Sequence, residues 1–188
     1  MPNPYTSPLL IDIADGAQIL NTLTETIMCP DFSFAASDPR IYQGASFRVN
    51  LGFDISNVVT TPGLVNFRIR WGGVAGVVLA QTGDIQMSTT ARSNYSGSLE
   101  AFLVWRSIGS AGSAFCQGRV FLNNVPVAAD SLPQGVYSMG SAGANVPAVV
   151  GSLDTTTAKA LSVTADFTVS TATTQLTNHI RILEAISS

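Results

Sequence analysis

"GASFRVNLGFDISN", residues 44–57, alternates without a break: Phe47, Val49, Leu51, Phe53 and Ile55 fall on one side, Arg48, Asn50, Gly52 and Asp54 on the other. A period of two over this length is the signature of a strand with one buried face. "LVNFRIRWGG", 64–73, repeats it, with Val65, Phe67, Ile69 and Trp71 inward and Asn66, Arg68 and Arg70 outward. Gly72-Gly73 then predict a two-residue hairpin turn into "VAGVVLAQT". So the two arginines placed inside an apolar-looking strand stand on the face opposite the core.

The same reading extends along the chain. "SLEAFLVWRSIG" (98–109) puts Leu99, Ala101, Leu103 and Trp105 on one face. Its other face, with Phe102, Val104 and Ile108, is also largely apolar, which predicts a strand covered on both sides. "GSAGS" turns into "AFCQGRVFLN" (114–123), and "ALSVTADFTVS" (160–170) precedes "LTNHIRILEAI" (176–186) as an expected closing hairpin. "AQILNTLTETIM" (17–28), with weaker alternation, completes eight strand candidates. No segment carries a convincing amphipathic-helix period.

Eight strands with Gly- and Ser-rich turns and no helical crossovers predict an all-β protein, a single antiparallel β-sandwich domain over 1–188. An eight-stranded jelly roll is the natural choice. An immunoglobulin-like Greek key stays open, although Cys29, Trp71 and Cys116 do not match its usual Cys–Trp–Cys core. Two stretches lie outside this frame. Residues 1–16 read as an extended N-terminal arm with Pro2, Pro4 and Pro8, and residues 124–157 as one long, nearly uncharged loop. "VPAVVG" within it has room for a ninth strand. The loop is either an arm that lies on a neighbouring subunit or a flap.

Composition narrows the function. Charged residues are 11% of the chain, against roughly 25% in an average soluble domain, yet mean hydropathy is positive. No apolar run approaches the roughly 18 residues that cross a bilayer, so no membrane partner is expected. There are eight arginines and one lysine, Lys159. Arginine suits interfaces and partly buried ion pairs, lysine suits open solvent. A net charge of −3, with no Lys or Arg before Arg40, argues against phosphate-based nucleic-acid binding. The N-terminus has no basic region followed by an apolar core, so no signal peptide is expected. Cys29 and Cys116 read as two free, buried thiols.

Catalytic constellations are hard to build. His179 is the one histidine, no G-x-S-x-G elbow accompanies it, and a histidine-rich metal set is excluded by count. The three glutamates and nine aspartates propose no glycosidase pair by spacing. "DIADG" (12–16) is a turn that fails the calcium-loop pattern. No enzyme activity, metal or cofactor is expected. The candidate working residues are assembly contacts: Arg48, Arg68, Arg70 and Arg106 on outward strand faces, with Tyr137 and Met139 in the long loop. The alternative is a solvated face paired to Asp54 or Glu100.

The order "NTLTETIM", "GASFRVNLGFDISN", "FRIRWGG", "FLVWRSIGSAG" with "GRVFLN", and "LSVTADFTVSTATTQLTNHIRILEAI" resembles small structural proteins of tailed bacteriophages. These include jelly-roll cement, or decoration, proteins of cyanophage-like heads. The resemblance spans residues 17–186 apart from the long loop. It implies a homotrimer on the capsid surface of the virion, made in the host cytoplasm, that clamps neighbouring copies of a major capsid protein. A receptor- or carbohydrate-binding head of a fibre or spike is the competing expectation, with Tyr95 and Tyr137 as its exposed aromatics. A self-sufficient coat protein is disfavoured by the missing basic arm.

Overall fold

The computed structural model describes residues 7–20, 22–57, 62–123, 135–141, 146–170 and 173–186. Within these residues fourteen strands, all paired antiparallel, build two facing sheets. They are β1 (Ser7–Asp12), β2 (Ile19–Leu20), β3 (Thr26–Ile27), β4 (Phe32–Phe34), β5 (Ser46–Asn57), β6 (Leu64–Trp71), β7 (Val77–Gln81), β8 (Ile85–Gln86), β9 (Arg92–Ser107), β10 (Gly112–Leu122), β11 (Gly135–Met139), β12 (Val149–Leu153), β13 (Lys159–Phe167) and β14 (Gln175–Ile186). The larger sheet runs β1-β14-β5-β9-β10-β11, with β12 also on β10 and β2 on β14. The smaller runs β3-β13-β6-β7, with β4 also on β13 and β8 on β6.

The alternating residues of 44–57, 64–71 and 98–105 are buried as the sequence predicts. Between the sheets the aromatic rings interlock: Phe34 of β4 lies 5.7 Å from Phe47 of β5 and 5.6 Å from Trp71 of β6. Trp71 meets Trp105 of β9 edge-on at 5.0 Å, and Phe53 faces Phe67 at 5.3 Å. Such pairs add about 0.5–1.5 kcal/mol each beyond their burial. Gly97 permits one close approach, since a Cβ there would sit 2.3 Å from the Phe53 ring.

Several local expectations are corrected. The connection after Trp71 is not a two-residue turn: residues 72–76 link the strands, with Gly72 and Gly73 at φ +102° and +84°. The segment 17–28 is not one strand. Ile19–Leu20 pairs with β14 and Thr26–Ile27 with β13, so the chain passes from one sheet to the other there. The closing pair is not a hairpin either, because β13 lies in the smaller sheet and β14 in the larger. Residues 7–12 of the expected arm are a sheet-edge strand on β14, and the expected long loop contains β11 and β12, the latter in "VPAVVG". Residues 1–6 of the arm, and residues 124–134 and 142–145 of the loop, lie outside the described residues. Among the described residues fourteen strands therefore replace the eight expected, while the antiparallel sandwich stands.

Candidate functional site

The two outer faces differ in kind. On the smaller sheet, Arg68 and Arg70 of β6 point outward as expected, but they are not free. Glu25, from the segment between β2 and β3, takes Arg70 as a bidentate partner, with Nη2 to Oε2 at 2.7 Å. It also lies 3.3 Å from Arg68 Nη1 and accepts a short hydrogen bond from Thr164 Oγ1. Arg68 donates in addition to Asp166. Burial pushes the Glu25 carboxyl up, but the hydrogen bonds from Arg70 and Thr164 and the charges of both arginines outweigh it and hold the group below its ordinary value. This face is closed by the chain's own carboxylates.

The described residues leave the larger sheet open on its outer side. Register aligns Ile186, Ser46, Val104, Phe115 and Val149 across β14, β5, β9, β10 and β12. The next row is Glu184, Arg48, Phe102 and Gln117, and the one after it Ile182, Asn50, Glu100, Arg119 and Ser138. Ile180, Gly52, Ser98, Phe121 and Val136 follow. Large apolar side chains stay in solvent here: Val136 is 65% exposed and Val149 57%. The expected second cover over Phe102, Val104 and Ile108 is not supplied by the described residues.

Charges in the middle of this face are mutually compensated. Arg119 Nη2 meets Glu100 Oε2 at 2.7 Å, and Arg48 lies 3.4 Å from Glu184 and 3.9 Å from Glu100. Two guanidiniums lie over aromatic rings, Arg48 over Phe102 at 5.1 Å and Arg106 over Phe115 at 5.8 Å. Between β9, β10 and β11 the surface sinks into an open cleft of about 520 Å³, lined by Glu100, Phe102, Gln117, Arg119, Val136 and Pro147 among others. Aromatics and arginine with little lysine are the composition of an interface core.

Of the six candidate contacts, Arg48 and Arg106 lie on this open face. Arg68 and Arg70 lie on the opposite side of the sandwich. Tyr137 is half-buried against the core, and Met139 is 1% exposed, so its side chain offers no contact surface. Glu100, Phe102, Arg119 and Val136 were missed as site residues. The apolar outward face of 98–109, which predicts a strand covered on both sides, was their signal.

At the far end of the face a second polar cluster forms. A register shift between Asn178 and Ile180 re-aims His179, whose Nδ1 lies 2.7 Å from Asp15 and Nε2 3.3 Å from Asp54. The Asp15 hydrogen bond, then the bond and charge of Asp54, raise the His179 pKa despite desolvation. A group with a raised folded pKa stabilises the fold below its unfolded value, ordinarily 6.5, and that contribution fades as pH rises through the raised value. Melting temperature should accordingly fall over that window in the native protein and not in His179→Gln. The protection of the Gly16 amide, measured against its intrinsic exchange rate, should fall over the same window, since that N–H donates to the Asn178 carbonyl; protection independent of pH in both proteins would contradict the assignment.

Both cysteines are free and buried, and burial pushes each thiol up to about 12, far from nucleophilic thiolates. Among the described residues no group of three or more His, Cys, Asp or Glu is placed to hold a metal ion.

No family model and no curated protein matches this sequence. Among solved structures, the chain is similar to the CBM2 module of the Lactobacillus casei BL23 phage J-1 evolved Dit. The likeness covers 83% of this chain and 68% of that one, at 8% identity and a TM-score of 0.35. A likeness at that level leaves the functional argument to the chain's own residues.

Proposed function

We propose that this protein is a non-enzymatic structural component of a tailed-bacteriophage virion, a cement protein that clamps neighbouring major capsid subunits. One observation carries the reading: the outer face of the larger sheet is broad, carries exposed apolar side chains that the described residues leave uncovered, and has its central charges already compensated. Monomeric soluble proteins seldom leave such a face in water. Eight arginines against one lysine, and a charged fraction of 11%, support the same conclusion, as does the resemblance of its strand phrases to phage head proteins. Stabilisation would follow from mass action. A protein that binds only the assembled lattice, at a free concentration about a hundredfold above Kd, contributes about 2.7 kcal/mol per site.

The test is addition of the purified protein to heads that lack it. Saturable binding at a fixed ratio to the major capsid protein, with delayed disassembly on heating, is the expected outcome. Binding that never saturates, or none, would remove the cement role.

The cleft favours a second reading, a receptor- or carbohydrate-binding head. Gln117, Glu100 and Arg119 present planar hydrogen-bonding groups beside Phe102 in an open depression. The two tyrosines first considered for that role fit it less well: Arg92 lies over the Tyr95 ring at 5.0 Å, and Tyr137 is half-buried. A glycan array with Gln117→Ala as control separates the readings, because a cement protein gives no Gln117-dependent signal.

A further inference from the structure

We infer that the outer face of the larger sheet is closed by a second copy of this chain. The inference rests on the assembly reading above and names what covers the face.

Charge is the first argument. Along β5, β9, β10 and β14 this face carries Arg48, Arg106 and Arg119 against Glu100, Glu184 and Asp54. Three cations oppose three carboxylates, and His179 with Asp15 at the far end leaves at most one net negative charge, so the face is close to complementary to itself and offers little net field to a strongly charged partner. Self-complementarity is what an isologous contact requires, since the same patch must supply both sides.

The arrangement of those charges is the second. The central four are satisfied within the chain, whereas the two ends are not and are opposite in sign. Arg106, beside the turn 108–111, is exposed and has an aromatic ring as its neighbour, with no carboxylate partner among the described residues. At the other end Asp54 has a buried Oδ1 that accepts no hydrogen bond, and it shares His179 with the exposed Asp15. That end stays negative even with His179 protonated, one cation against two carboxylates. Arg92 lies past a further register shift and is turned onto Tyr95. Asp54 aligns with Ser96 on β9, ten residues from Arg106, or about 33 Å along the strand. A two-fold axis through the middle of the face, near Phe102, would set Arg106 of each copy over the Asp54 end of the other. It would also bring the rows of Val104 and Phe115 and of Phe121 and Val136 into mutual contact.

The experiment is the mass of the purified full chain by sedimentation equilibrium at micromolar concentration. An assembly of two or more protomers is expected. Val136→Asp and Val149→Asp, both at highly exposed positions that leave the core untouched, should raise the dissociation constant at least about tenfold. Arg106→Glu should do the same without placing a charge among apolar neighbours. Leu23→Asp, exposed but outside this face, should leave the assembly unchanged. A monomeric wild type overturns the inference, and so does an assembly indifferent to all three face substitutions. The cement reading fails separately. A monomer that binds heads saturably sinks the inference alone, and a self-associating protein that ignores heads sinks the cement role alone.

Discussion

Trp105→Ala is expected to cost about 3–5 kcal/mol of stability, enough to unfold a marginal domain. Trp105 is 1% exposed at the centre of the sandwich, edge-on to Trp71, which in turn packs on Phe34. Alanine would leave a void between two sheets whose backbones are each held by neighbouring strands, so the surroundings have little freedom to close it. The indole Nε1 is buried and makes no hydrogen bond, whereas Trp71 donates its own to the Asp154 carbonyl at 3.0 Å. Trp105→Phe should therefore cost far less, about 1–2 kcal/mol, since it keeps an aromatic ring and abandons no polar contact. Urea unfolding of both variants checks the pair. A Trp105→Ala loss no greater than that of Trp105→Phe would mean the packing of this layer is wrongly described.

Glu25→Ala should be the second most damaging change, at about 2–3 kcal/mol. Its carboxylate is the shared acceptor for Arg70, Thr164 and, by charge, Arg68. Without it Arg70 keeps the Gly76 carbonyl and Arg68 keeps Asp166, but two half-buried guanidiniums then sit side by side with one carboxylate between them. Glu25→Gln retains an acceptor and should cost less. The pH dependence gives an independent readout. The Glu25 carboxyl is held below its ordinary 4.5, so its contribution is fully present above that value and lost as pH falls through the lowered one. The native protein should lose more stability than Glu25→Ala over that acid window. Parallel profiles would place the contribution elsewhere.

How far the sequence reveals this molecule depends on the range of the interaction concerned. Alternation in 44–57 and 64–71 is a property of one strand, and it correctly separates Phe47 or Phe67 from Arg48 or Arg68. It does not say which sheet a strand joins. The connection around 170–174 is short enough for a hairpin, yet Phe167 and Leu176 enter the core from opposite sheets. Glu25 was equally hidden, because its arginine partners are about 45 residues away and its own segment alternates weakly. The face of Phe102 and Val104 shows a different kind of limit. Apolar residues on both sides of a strand indicate burial, but a single sequence cannot distinguish cover by the same chain from cover by another. Among the described residues the chain itself does not cover that face, which is why the proposal looks to another chain. Of the candidate contacts, Arg48 and Arg106 lie on that face, Arg68 and Arg70 on the opposite side of the sandwich and Met139 in the core.

The claim on which the functional account turns is that this face is hidden in the working particle. Hydroxyl-radical footprinting of intact virions against the purified chain at high dilution measures it directly. Phe102, Phe115, Phe121 and Val136 should be labelled in the dilute protein and protected in the particle, with Leu23 serving as an exposed reference. Equal labelling of those four residues in both states would contradict the account.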